Sequence, residues 1–127
     1  MARILIIDDD DQIRSLLKQM LEKEGHSVQE AGNGKEGLAL FKATPADLVI
    51  ADILMPEKEG IETIRELLED YPGTKIIAVS GGGVVPAELC LNLSAKLGAS
   101  QTIRKPFTKS EFLKTVRQTL DGGHRRP

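Results

Sequence analysis

Short apolar runs alternate with amphipathic stretches along the whole chain. Ile4–Ile7 is a continuous run of β-prone residues that stops abruptly in four aspartates, Asp8 to Asp11. The next apolar residues, Ile13, Leu16, Leu17, Met20 and Leu21, recur at helical spacing and predict one amphipathic helix, with Gly25 placed to cap its end. Ser27–Ala31 is a weaker second strand in which only Val28 is strongly apolar. Asn33-Gly34 opens a second helix carrying Leu38 and Phe41 on one face, and Thr44-Pro45 stops it. Leu48–Ala51 is another apolar run and ends at Asp52. Met55-Pro56 and Gly60 mark a loop, after which Ile61, Ile64, Leu67 and Leu68 predict a third helix closed by Tyr71-Pro72-Gly73. Ile76–Val79 is a fourth strand, followed by Ser80 and the glycines 81 to 83. Pro86 suits the first turn of a helix bearing Leu89, Cys90, Leu93 and Leu97, with Gly98 beyond it. Thr102–Arg104 predicts a short fifth strand. Phe107, Phe112, Leu113, Val116 and Leu120 lie on or near a last helix, which Ser110 or Thr108 could cap and Gly122-Gly123 ends.

Five strands alternating with helices imply parallel pairing through crossovers, with helices on both faces of one sheet. The first, third and fourth apolar runs do not alternate with polar residues, which is how strands buried on both faces read. The chain has 127 residues, one ordinary domain, and shows no repeat or low-complexity segment. We expect the domain to occupy residues 1–121, with 122–127 as a tail.

Composition narrows the chemistry. Aromatic residues make up 3% of the chain and Trp is absent, so the core is built from Ile, Leu, Val and Ala and no stacking platform for single-stranded nucleic acid is expected. Net charge is -2, and the one basic cluster, His124, Arg125 and Arg126, reads as a solvated tail, so direct DNA binding is not expected. Cys90 is the single cysteine, which excludes a disulfide framework and a thiolate metal site. The start, Met1-Ala2-Arg3-Ile4, enters a strand at once without a signal-peptide pattern, and no stretch reaches the ~20 apolar residues of a membrane span. A reducing cytoplasm fits these features.

The candidate chemistry sits where strands end. The first strand runs into Asp8 and Asp9, the third into Asp52, the fourth into Ser80 and the fifth into Lys105. In a doubly wound sheet of order 2-1-3-4-5 those ends share one edge, and the ligand crevice opens between strands one and three. Asp8, Asp9 and Asp52 would face one another there. Two like charges ~4 Å apart repel by about 4 kcal/mol at an effective dielectric near 20, which a divalent cation relieves. Oxygen donors of this type suit Mg²⁺ better than zinc or copper. An aspartate can also act as a covalent nucleophile towards phosphorus. Mg²⁺, Lys105, the Ser80 hydroxyl and the amides of residues 81–83 could then meet the phosphoryl oxygens. Asp10 and Asp11 read as acidic residues of a first helical turn, favoured by the helix dipole. The glycines at 81–83 lack the Gly-Lys-Ser/Thr of a Walker loop.

The chain resembles the receiver domain of bacterial response regulators over essentially its whole length. The resemblance is carried by Ile4-Leu5-Ile6-Ile7-Asp8-Asp9-Asp10, by Asp47-Leu48-Val49-Ile50-Ala51-Asp52-Ile53-Leu54-Met55-Pro56, by Ala78-Val79-Ser80-Gly81 and by Arg104-Lys105-Pro106-Phe107. It implies an α/β, flavodoxin-like, doubly wound five-stranded parallel sheet with five helices. It further implies a phosphoryl group accepted on Asp52, a switch hydroxyl at Ser80, a site lysine at Lys105, and Mg²⁺ bound through Asp8, Asp9, Asp52 and the Leu54 carbonyl. The Lys105-Pro106 bond is expected cis. The implied partners are a histidine kinase or histidine phosphotransfer protein as donor and a downstream protein as target. The response face would lie around the fourth predicted helix and fifth strand, and the chain would be a monomer or a phosphorylation-dependent dimer. On this reading the protein assists its own phosphorylation and dephosphorylation and is not otherwise an enzyme.

Two departures from the family pattern stand out. Thr102 occupies the position, three before the lysine, where Tyr or Phe is common, and Leu54 and Gly82 offer no polar side chain to orient a water. Two rival readings remain. A haloacid-dehalogenase-type phosphatase wants a second Asp two residues after the nucleophile, where this chain has Leu54. A degenerate receiver used only for docking is opposed by the intact set Asp8, Asp9, Asp52, Ser80 and Lys105.

Overall fold

A computed structural model describes residues 2–53, 59–80, 96 and 98–122. In chain order the elements are β1 (Arg3–Ile7), α1 (Asp11–Lys23), β2 (Ser27–Ala31), α2 (Gly34–Ala43), β3 (Leu48–Asp52), α3 (Glu59–Asp70), β4 (Ile76–Ser80), β5 (Gln101–Arg104) and α4 (Lys109–Leu120). The strands form one sheet in the order β2-β1-β3-β4-β5, and every neighbouring pair is parallel. The doubly wound architecture expected from the alternation is therefore the observed one. The helix expected around Pro86 to Leu97 lies outside the described residues except for Lys96, which is helical.

The central strands are buried on both faces because both faces carry helices. All five residues of β3 and of β4 are buried. Alternate side chains point to opposite sides of a strand. On one side Leu5, Ile7, Val49, Ala51, Ile76 and Ala78 meet Phe41 of α2 and Ile64 and Leu67 of α3. On the other, Ile4, Ile6, Leu48, Ile50, Ile77 and Val79 meet Leu17 and Leu21 of α1 and Phe112, Leu113 and Val116 of α4. Among the described residues no helix is long and apolar enough to cross a membrane.

Several boundaries sharpen the sequence reading. Asp10 precedes the first turn of α1: it is the N-cap, its carboxylate accepting from the amides of Gln12 and Ile13, while Asp11 does lie in that turn. Of the two candidates for the last helix, Thr108 is the cap and forms a reciprocal box with Glu111. Gly60, expected in a loop, belongs to α3. Leu16, assigned to the buried stripe of α1, is 51% exposed. The part of α1 that meets the sheet centres on Leu17 and Leu21, and Leu16 falls at its edge beside Pro106 and Phe107.

Gly37 lies within α2, where glycine is less favourable than alanine by about 1 kcal/mol. It is tolerated because α2 sits against β1: a Cβ there would fall on Ile7 Cδ1 and reach 2.8 Å from Ile7 Cγ1. Overpacking of this kind costs about 1–3 kcal/mol. We therefore expect Gly37→Ala to lower the urea midpoint despite its better helix propensity. Adding Ile7→Val, which removes Cδ1, should recover part of the loss in a double-mutant cycle. A single variant more stable than wild type would contradict this packing.

His26, in the turn between α1 and β2, accepts a hydrogen bond at Nδ1 from the Ala2 amide at 3.1 Å. Burial, followed by the nearby amino-terminal charge, pushes its pKa below 6.5, and Glu24 opposes this only in part. A depressed folded pKa gives stability that is present above the unfolded value and lost as pH falls through the folded one. The stability advantage of wild type over His26→Asn should thus shrink as pH drops below about 6.5, measured by urea unfolding at a series of pH values. A difference that does not change with pH would show that His26 keeps its ordinary titration on folding.

Candidate functional site

The sheet order brings the strand ends together. β1 and β3 are neighbours, and their pairing ends at Ile7 opposite Ala51, so Asp8 and Asp52 leave the ladder side by side. Asp52 is the last residue of β3 and sits opposite Val79; Ser80 is the last of β4 and sits opposite Arg104, directly before Lys105. The Lys105 amide donates to the Ser80 carbonyl at 2.6 Å, which ties the residue after β5 to the end of β4. The Lys105-Pro106 bond is cis, as expected.

Carboxylate oxygens of Asp8, Asp9 and Asp52 lie within 4.8 Å of one another. Asp8 and Asp52 are buried at 3% and 6% exposure, whereas Asp9 is exposed. The Lys105 ammonium donates to Asp52 Oδ2 at 3.1 Å and stands 3.7 Å from Asp8 Oδ2. Among the described residues, the Lys105 ammonium thus stands against the two buried carboxylates of a cluster of three. Burial is the main influence pushing the Asp8 pKa up; the Asp10 amide on Oδ1 pulls it back, Asp52 raises it, Lys105 lowers it and Asp9 raises it. For Lys105 burial favours the neutral amine, but the charges of Asp52 and Asp8, with the hydrogen bond to Asp52, outweigh it and the pKa is raised. The group remains an ammonium at neutral pH. Among the described residues the donor set is three carboxylates, partly buried, which fits a hard divalent cation.

Ser80 is fully buried, and among the described residues its hydroxyl has no hydrogen-bond partner. Leaving a buried hydroxyl unsatisfied costs about 1–3 kcal/mol. Thr102 sits opposite Ala78 and is half-buried. Leu54 and the glycines at 81–83 lie outside the described residues. An open groove of about 510 Å³ borders the site, lined by Ile13, Leu16, Leu17 and Met20 of α1 and by Lys105, Pro106 and Phe107.

Two residues that matter to this geometry gave no clear sign in the sequence. Arg14 reads there as one more solvated charge of an amphipathic helix, yet its guanidinium donates to the Asp8 carbonyl at 2.8 Å. Gly60 reads there as a loop marker, yet it is the point where α3 touches the end of β3.

A buried aspartate at the end of a central strand, an acidic pair beside it and a lysine bonded to it describe a receiver, the input domain of two-component signalling. The family model of the response regulator receiver domain matches residues 4–117, and the chain belongs to that family. The transcriptional regulatory protein CpxR of Klebsiella pneumoniae is 37% identical over 98% of this chain. The chain spans only 51% of that protein's length. The chemotaxis protein CheY of Halobacterium salinarum is 35% identical over 93% of the chain and 96% of its own length. Among solved structures, a CheY-like receiver domain protein from Methanospirillum hungatei superposes with a TM-score of 0.85 at 34% identity, covering 96% of this chain and 95% of that one.

At Gly60 a Cβ would lie against the Asp52 carbonyl oxygen and the Ile53 Cα, all backbone that cannot swing away. Gly60→Ala must therefore push α3 off the end of β3. Overpacking costs about 1–3 kcal/mol, and the shift should fall on Asp52 itself. We expect a lowered urea midpoint together with amide chemical-shift changes centred on Asp52 and Ile53. A variant as stable as wild type with an unchanged spectrum there would refute the contact.

Proposed function

We propose that this receiver is a phosphoacceptor switch in which Asp52 takes a phosphoryl group from a histidine kinase or a histidine phosphotransfer protein. The observation that carries the reading is Asp52 Oδ2 bonded to Lys105 Nζ at 3.1 Å, with carboxylate oxygens of Asp8 and Asp9 gathered within 4.8 Å. Asp8, Asp9 and Asp52 would hold Mg²⁺, with the Leu54 carbonyl as a further candidate ligand outside the described residues. When bound, the ion supplies positive charge beside the carboxylates and the phosphoryl oxygens.

The transfer needs no proton at Asp52. A carboxylate oxygen of Asp52 forms a bond to phosphorus while the phosphorus–nitrogen bond to the donor imidazole breaks, and that electron pair returns to the ring nitrogen. The product is an aspartyl-phosphate, and water later cleaves its phosphorus–oxygen bond to release inorganic phosphate and restore the carboxylate. Lys105, kept cationic by Asp52 and Asp8 despite burial, offsets the charge that builds on the phosphoryl oxygens. The Ser80 hydroxyl, without a partner among the described residues, is a donor that a phosphoryl oxygen at Asp52 would satisfy. Phosphorylation thus changes which partners Lys105 and Ser80 have, and a two-state equilibrium biased in this way alters a surface that a downstream protein reads. The apolar groove between α1 and Pro106-Phe107 lies next to Lys105 and suits a helix of the donor protein.

The experiment is phosphorylation of wild type and Asp52→Asn by acetyl phosphate with Mg²⁺, read by intact mass. Wild type should gain one phosphoryl group and the variant none, and a chelator should abolish the gain. Millimolar Mg²⁺ should raise the melting temperature of wild type, since an ion that binds only the folded state stabilises it by mass action. Equal incorporation into the Asn variant would overturn the assignment of Asp52.

A further inference from the structure

Arg14 lies in α1 one turn after its start, and its side chain is 17% exposed. Its guanidinium reaches three partners at once. Nη1 donates to the Asp8 carbonyl at 2.8 Å, Nε to Glu30 Oε1 of β2 at 3.0 Å, and Nη2 to Asp11 Oδ1 at 2.6 Å. The Asp11 side chain is 85% exposed, so that contact contributes little. The other two are partly buried. Glu30 is held from a second side by Lys18, 3.4 Å from its Oε2, which fixes the carboxylate that orients Arg14.

The contact with Asp8 falls at a sensitive place. The β1–β3 ladder ends at Ile7 and Ala51, so the Asp8 carbonyl has left it. The Asp8 amide donates to the Ala31 carbonyl at 3.1 Å, its Oδ1 accepts from the Asp10 amide at 2.9 Å, and its carbonyl accepts from Arg14. With the backbone held at both ends and one carboxylate oxygen engaged, Oδ2 is turned towards Lys105. The same backbone leads directly into Asp9. Sub-ångström errors in such a group are enough to degrade a metal site, because a cation needs its oxygens at set distances.

We propose that Arg14 is a positioning residue that sets the aim of Asp8 and Asp9 and thereby the affinity of the carboxylate cluster for a divalent cation. The inference rests on the reading that these carboxylates hold Mg²⁺. Its direction distinguishes it from simple electrostatics. A guanidinium near an acidic cluster repels a cation, so if Arg14 acted only as a charge, its removal would strengthen binding. If it positions the carboxylates, its removal weakens binding. Lysine keeps the charge but presents a compact ammonium that cannot reproduce the planar fork joining Glu30 to the Asp8 carbonyl.

The test is calorimetric titration of the purified full chain with Mg²⁺, for wild type, Arg14→Met, Arg14→Lys, Asp9→Asn and Arg117→Met, each first melted without metal to verify folding. Loss of a group that orients metal ligands typically weakens metal binding by 10- to 100-fold, so both Arg14 variants should bind about tenfold or more weakly. Arg117→Met removes a cation whose ion pair with Glu24 is exposed and remote from the carboxylates, and should bind as wild type does. Arg14→Met binding Mg²⁺ as tightly as wild type, or more tightly, overturns the proposal while leaving the site intact. Should Arg14→Met fail to fold, Arg14→Lys decides alone, and wild-type affinity in it overturns the proposal. Wild type that binds no Mg²⁺, or Asp9→Asn that binds like wild type, overturns the metal reading and the proposal with it.

Discussion

The arrangement turns on charge in a confined place: among the described residues, three aspartate carboxylates are gathered together, and the Lys105 ammonium stands against the buried pair, Asp8 and Asp52. Lys105 bonds Asp52 at 3.1 Å and stands 3.7 Å from Asp8, so its single charge is shared between the buried pair. Like charges ~4 Å apart repel by about 4 kcal/mol at an effective dielectric near 20, and the carboxylate oxygens lie within 4.8 Å of one another. The pKa values of Asp8 and Lys105 are both raised but for different reasons, that of Asp8 mainly by burial with Asp52 and Asp9 adding to it, and that of Lys105 by the carboxylates winning over burial. Such a site is poised for added positive charge. Any group bound at Asp52 must share or displace the Lys105 bond.

Holding such a site together requires rigid elements, and the sheet provides them. β1, β3 and β4 are clamped between two apolar layers, with Phe41, Ile64 and Leu67 on one side and Leu17, Leu21, Phe112 and Val116 on the other. Side chains that close-packed cores hold in place do not yield to a local repulsion. The energy that favours separation of the carboxylates is opposed by burial elsewhere, so the site can stay strained without unfolding the strand ends. The family to which the chain belongs places this kind of site in signalling, and at the end of the neighbouring strand β4 the Ser80 hydroxyl is buried with no partner among the described residues.

Contacts around the strand ends refine the aim. Gly60 lets α3 rest on the Asp52 carbonyl, and Arg14 secures the Asp8 carbonyl from α1 while Glu30 of β2 holds Arg14. Each contact reaches the backbone of a site residue rather than its carboxylate. Geometry can therefore be set without consuming the oxygens that a cation or a phosphoryl group would use. The groove between α1 and Phe107, to which Leu16 contributes its exposed side chain, opens from the same edge of the sheet.

The amino-acid sequence by itself determined the alternation of strands and helices, the burial of the central strands on both faces, and the chemical type of residue at each strand end. These are local properties: apolar runs, helical periodicity, and abrupt changes such as Ile7 to Asp8 or Ala51 to Asp52. They survive being read one segment at a time. Even the weak strand Ser27–Ala31 was legible, because Gly25 and Asn33 bracket it. What only the tertiary structure decided are relations between segments far apart in the chain. Leu16 has the spacing of a core residue and is exposed, because the position of the sheet beneath α1 is not written in α1. Gly60 and Gly37 are needed for the approach of one element to another, at Asp52 and at Ile7. Arg14 is indistinguishable in sequence from other charges on an amphipathic helix, since its partners Asp8 and Glu30 become its neighbours only when β1 and β2 pair. A periodicity records which face of a segment is apolar; which atoms that face meets is fixed by long-range packing alone.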